Sequence, residues 1–120
     1  MIFRLSAALF FFVALSSAAQ AMDAHSFYTK GRALEKKGMA AVFSSEFKPL
    51  MTEMKMAGKT VKAENEKAKA DGKPLYCTNG KEAMTPKILL AEFGKIPDDR
   101  RPKITVTQAL REILSRRYPC

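Results

Sequence analysis

The chain has 120 residues, 47% hydrophobic and 28% charged, with 21 Lys and Arg against 12 Asp and Glu. This length allows one domain with a single small core and excludes a multidomain design. A formal charge of +9 favours acidic partners.

The first residues have the pattern of an export signal. Arg4 supplies the positive start, Leu5 to Leu15 form a short apolar run, and Ala19-Gln20-Ala21 place small residues at a cleavage site. The run is shorter than the roughly 20 residues a membrane-spanning helix needs. Cleavage after Ala21 predicts a signal peptide at 1–21 and one domain at 22–120, with 20 Lys and Arg against 12 Asp and Glu, or +8. No cysteine stands directly after the cleavage site, which argues against a lipoprotein, and no later stretch is apolar enough to span a membrane. The expected location is the periplasm. Nucleic acid is then a poor partner. Anionic cell-wall polymer, lipid A phosphates or an acidic protein suit the charge better.

The rest of the chain reads as all-α, with about four helices. Met22 to Gly38 predicts the first, with Asp23 as N-cap, Gly38 as stop, and Phe27, Ala33 and Leu34 on its apolar side. A short helical turn is expected at 39–46. A long helix follows from about Lys48 to Asp71, with Pro49 at its first position. Phe43, Phe47, Leu50, Met54, Ala57, Val61 and Ala68 recur at three- and four-residue steps. That spacing suits a core stripe or a homodimer seam. Met51, Met54 and Met56 suit either. Lys55, Lys59, Lys62, Lys67 and Lys69 read as a solvated face.

Gly72-Lys73-Pro74 breaks the long helix, and Asn79-Gly80 marks a turn within Thr78–Lys81. A third helix starts at Pro86 behind the N-cap Thr85, buries Ile88, Leu89 and Phe93, and stops near Gly94. A charged connection with prolines at both ends, 96–102, leads to the last helix. There Thr105 and Gln108 fit a capping box. Val106, Ala109, Leu110, Ile113 and Leu114 form its apolar face. Arg111, Arg116 and Arg117 lie off that face, near the C-terminal end, where positive charge suits the helix dipole.

The two cysteines, Cys77 and Cys120, are best explained as one disulfide in an exported protein. The bridge would close a loop of about 44 residues and contribute about 4 kcal/mol in the chain-entropy model. Paired cysteines and a single histidine, His25, leave neither a Cys–His nucleophile nor a usual zinc set. Glu64, Glu66, Asp98 and Asp99 read as solvated charges. No catalytic residue, metal or cofactor is predicted.

The C-terminal half carries a resemblance. Cys77, the turn after it, Thr85-Pro86-Lys87-Ile88-Leu89-Leu90, Pro97-Asp98-Asp99-Arg100-Arg101, Ala109-Leu110-Arg111 and Tyr118-Pro119-Cys120 resemble the Rap/Tai family of type VI secretion immunity proteins. The resemblance covers Leu75 to Cys120. It implies a small, exported, helical, disulfide-closed protein that binds and inhibits a secreted peptidoglycan amidase effector, and one that commonly pairs as a homodimer. The chain departs from the pattern in three ways. Thr78-Asn79-Gly80 follow Cys77 where members often carry a proline. The second cysteine pair of many members is absent. The helix before Cys77 is rich in Lys and Met rather than glycine.

On this reading Thr78, Asn79, Gly80 and Lys81 are candidate partner contacts, pre-organised by Cys77, and Arg100 and Arg101 would steer an acidic effector. The alternative is an exported acid-stress chaperone resembling HdeA, or a basic envelope-binding protein.

Overall fold

The computed structural model describes residues 21–120; the predicted signal peptide lies, apart from Ala21, outside the described residues. Four helices make up the fold: α1 (Ala24–Lys37), α2 (Phe47–Ala70), α3 (Pro86–Lys95) and α4 (Val106–Arg117). Two 3₁₀ segments, Gly38–Phe43 and Arg101–Lys103, lie between them. Among the described residues there is no strand, and no helix is long and apolar enough to cross a membrane.

Three of the four helices, α1, α3 and α4, start at a side-chain cap. Asp23 Oδ1 accepts from the Ser26 N–H at 2.8 Å, and Thr85 Oγ1 accepts from the Ile88 N–H at 3.2 Å. The α4 capping box is complete: Thr105 Oγ1 accepts from the Gln108 N–H at 3.1 Å, and Gln108 Oε1 accepts from the Thr105 N–H at 2.9 Å. These contacts satisfy amides that have no partner inside the helix. Gly38, with φ of 57°, ends α1. Pro49 sits at the third position of α2 rather than the first, still among the residues whose N–H has no helical acceptor.

α2 packs along α4, and α1 along α3. The starts of α1 and α4 are stitched together, with Ala24 N–H donating to Ile104 O at 2.9 Å and Val106 N–H to Met22 O at 3.0 Å. Phe93, Ile96, Ile113, Val61 and Val106 are fully buried, each contributing about 1.5–3 kcal/mol by leaving water. Between α1 and α3 the rings of Phe27 and Phe93 lie 4.9 Å apart. A Cβ on Gly31 would fall 2.5 Å from Leu90 Cδ2, so only glycine lets α1 approach α3 undisturbed there.

Several sequence expectations shift. Ala33 is exposed, because the buried face of α1 runs through Ala24, Phe27, Gly31 and Leu34. Phe43 is 90% exposed rather than part of the core. It ends a 3₁₀ segment, and the break at 44–46 takes it out of register with the α2 stripe. Within α2 the stripe does enter the core, through Leu50, Ala57 and Val61. Of the other residues read as a dimer seam, Phe47, Met54 and Ala68 are half-buried. The stripe continues through Asn65, which is buried although polar.

Candidate functional site

The fold offers two candidate surfaces. The first surrounds the disulfide. Cys77 and Cys120 are bonded, with Cα atoms 4.8 Å apart. Asn65 aligns the chain that enters this bridge. Its Oδ1 accepts from Leu75 N–H at 2.8 Å and Tyr76 N–H at 3.3 Å, and its Nδ2 donates to Tyr76 O at 3.1 Å. A side-chain amide offers both donor and acceptor, which is what three backbone groups at this place require. Cys77 N–H then donates to Tyr118 O at 2.8 Å, and the Tyr118 hydroxyl donates to Glu82 O at 2.7 Å.

Between these ties the Thr78–Lys81 turn is exposed. Asn79 and Gly80 have φ of 45° and 75°, and Lys81 N–H donates to Thr78 O at 2.8 Å. Two successive positive φ values are the type I′ geometry for which Asn-Gly is the preferred pair. Lys81 Nζ lies 6.0 Å from the Tyr118 ring centre. A recess of about 350 Å³ opens here, lined by Tyr76, Thr78, Lys81, Glu82, Met84 and Tyr118 among others.

The structure does not bring Arg100 and Arg101 to this turn. The turn follows Cys77, bonded beyond the C-terminal end of α4, whereas the two arginines precede its N-terminus. α4 has 12 residues, a length of about 18 Å. Arg100 pairs with Glu112. Arg101 is only 4% exposed. It donates to Ile96 O at 3.1 Å and Gly94 O at 3.3 Å, pairs with Asp98, donates to His25 Nδ1 at 3.4 Å, and sits 4.3 Å from the Tyr28 ring centre. Its charge is used inside the fold, where it joins the connection before α4 to α1.

Three of the carboxylates read as solvated are also paired, Glu66 with Lys69 at 3.8 Å on the exposed side of α2. Asp98 is Arg101's partner, and Glu64 is bound by Arg111 through two 2.7 Å contacts that hold its carboxyl below the usual range. Glu92, not singled out from sequence, is 4% exposed. Lys95, Arg116 and Arg117 reach it at 2.8, 2.8 and 3.3 Å. The Lys95 hydrogen bond, then that of Arg116, lower its pKa against the opposing effect of burial. This carboxylate ties α3 to the end of α4. Among the described residues, no group of three or more His, Cys, Asp or Glu side chains could hold a metal ion.

The second surface is an apolar groove of about 750 Å³ between α1, the 3₁₀ segment after it, α2 and the start of α3. Phe27, Leu34, Leu50, Met54 and Leu90 are among its lining residues, with Met51 and Met84. Beside it the 3₁₀ segment exposes Met39, Val42 and Phe43. The methionine spacing was visible in the sequence. The groove was not, because it needs three helices brought together.

No protein-family model, curated protein or solved structure matches the chain.

Proposed function

We propose that this is an exported, periplasmic immunity-type protein that binds and inhibits a secreted peptidoglycan amidase effector of the type VI class. The observation that carries the reading is the C-terminal half, from Leu75 to Cys120. It combines the residues that resemble the Rap/Tai family with a rigid, disulfide-closed frame around an exposed turn. A turn held at both ends loses little freedom on binding, which suits a protein that works by occlusion. Thr78, Asn79, Gly80 and Lys81 are the proposed contacts at this end. Arg100 is half-exposed and can add long-range attraction for an acidic effector. Arg101, buried and internally paired, is left out of the contact.

The test is protection. Cells lacking the gene should be killed by a co-encoded exported hydrolase and rescued by the protein directed to the periplasm. Equal survival with and without the gene would sink the reading.

A second reading, the acid-stress chaperone, draws support from the exposed apolar side chains and from Glu92. Protonating that buried carboxylate removes its pairs with Arg116 and Arg117, which join α3 to α4. Loosening them in acid would enlarge the apolar surface. Keeping a denatured client soluble at about pH 2–3 but not at pH 7 would favour this alternative.

A further inference from the structure

The groove between α1, α2 and α3, about 750 Å³ and mostly apolar in its lining, has no role in the contact proposed above. Phe27, Leu34, Leu50, Met54 and Leu90 line it. On the 3₁₀ segment that contributes Gly38 and Ala41 to the lining, Met39 is 92% and Phe43 90% exposed, with Val42 also exposed, and Met51 of the lining is exposed on α2. A soluble domain rarely leaves side chains of this size together in water unless something covers them. We propose that this groove is a docking site for an amphipathic helix of the protein's partner, one whose apolar face is flanked by acidic residues.

Three observations select this occupant. The first is extent. An acyl chain could fill the groove itself but would leave the adjoining Met39, Val42 and Phe43 uncovered. A helix lying across the groove can reach both, using side chains spaced three and four residues apart.

The second is lining chemistry. Met51, Met54 and Met84 contribute three flexible thioethers. Such side chains re-pack around a helix without demanding one fixed shape.

The third is charge. Lys87 lines the groove. Lys48 and Lys55 stand three residues before and four after Met51 on α2, beside it on the helix surface. None of these lysines has an ion-pair partner among the described residues. Glu35, the acidic residue of the lining, is paired with Arg32 at 3.3 Å. A second copy of this basic chain would bring these lysines against their own equivalents. An acid-flanked helix complements them.

The inference rests on the binding-protein reading above and names the partner element that reading leaves open. Its test uses a fluorescein-labelled synthetic helix of about four turns, with leucines on one face and glutamates beside them. A twin peptide carries lysine in place of each glutamate. Anisotropy titrations are run on the oxidised protein and on Met51→Glu. That substitution changes an exposed side chain, and an unchanged melting temperature verifies folding.

The acidic helix should bind, the lysine twin about tenfold more weakly or worse, and Met51→Glu should weaken the acidic helix about tenfold. Added salt should weaken it further. Equal affinity for the two peptides, or binding indifferent to Met51→Glu, overturns the proposal. So does displacement of the peptide by dodecanoate with the same Met51→Glu sensitivity, which would assign the groove to an acyl ligand. A dimer in light scattering that Met51→Glu dissolves would assign it to a second copy. Toxin protection separates this inference from the reading beneath it. Protection that survives Met51→Glu removes the groove from the contact and leaves the immunity reading standing. Absence of protection by the unaltered protein removes the immunity reading, while the peptide titrations still decide the groove.

Discussion

The disulfide end and the groove end of this molecule solve different problems. Around Cys77 and Cys120, polar groups are matched one to one. Asn65 serves three backbone groups, Tyr118 anchors Glu82 O, and a covalent bond closes the chain. Around the groove, apolar side chains meet without filling the space between them, and Phe43 and Met39 lie in water. One end is over-determined and the other is left incomplete. Stability should therefore be concentrated away from the groove.

Substitutions at the two ends should differ in size, and the largest effect is expected at the bridge. Cys120→Ser should cost about 4 kcal/mol, the entropy of the loop that the bridge closes. Urea unfolding of the oxidised wild type and of the variant measures it. A loss below about 1 kcal/mol would mean that the disulfide end is not the anchor of the fold.

Asn65→Ala comes next. It leaves Leu75 N–H, Tyr76 N–H and Tyr76 O without their partner, and should cost about 3 kcal/mol. Amide exchange at Leu75 and Tyr76 should accelerate well beyond that of the α2 amides.

Glu92→Gln should cost about 2 kcal/mol at neutral pH, because hydrogen bonds to a charged group are lost while the three cations return to water. The sign of the pH dependence follows. Glu92 and Glu64 are both held below the usual glutamate range. Their contribution is complete above the unfolded glutamate value of about 4.3 and is lost as pH falls through the lowered folded values. The urea midpoint should drop on acidification below about pH 5, and the gap between wild type and Glu92→Gln should shrink with it.

Gly31→Ala tests the border between the two regimes. The new methyl must displace Leu90 Cδ2, which is the end of a mobile side chain. The cost should be about 1 kcal/mol. The displaced Leu90 should alter the groove floor, which a change in the α1–α3 contacts by NMR would report.

Phe43→Ser should be the mildest, within about 0.5 kcal/mol, since the ring is already in water. A loss comparable to that of Asn65→Ala would show that the groove end is as tightly specified as the bridge.

Much of this fold was legible in the chain because its signals are local. Asp23, Thr85 and the Thr105–Gln108 pair act within three residues of themselves, so their helix starts need no tertiary context. The same holds for the stop at Gly38 and the Asn79-Gly80 turn, where backbone geometry selects the residue. Two cysteines leave a single intramolecular pairing to form. The periodic stripe through Leu50, Ala57 and Val61 announced a buried face, though not what would cover it.

Tertiary structure alone decided the rest. Arg101 and Arg100 are adjacent basic residues in a charged connection. Only the fold buries one against Tyr28 and the Gly94 and Ile96 carbonyls while leaving the other half-exposed on Glu112. Asn65 and Glu92 carry no local mark of burial, because their partners lie ten to twenty-five residues away, apart from Lys95. Phe43 matched the α2 stripe by spacing, but spacing predicts a shared face only while the helix is continuous, and the chain breaks at 44–46. Local sequence determines where the capped helices α1, α3 and α4 begin and most of the side that is apolar. Which apolar sides end up facing one another, and which are left over to form a groove, depends on how the helices meet.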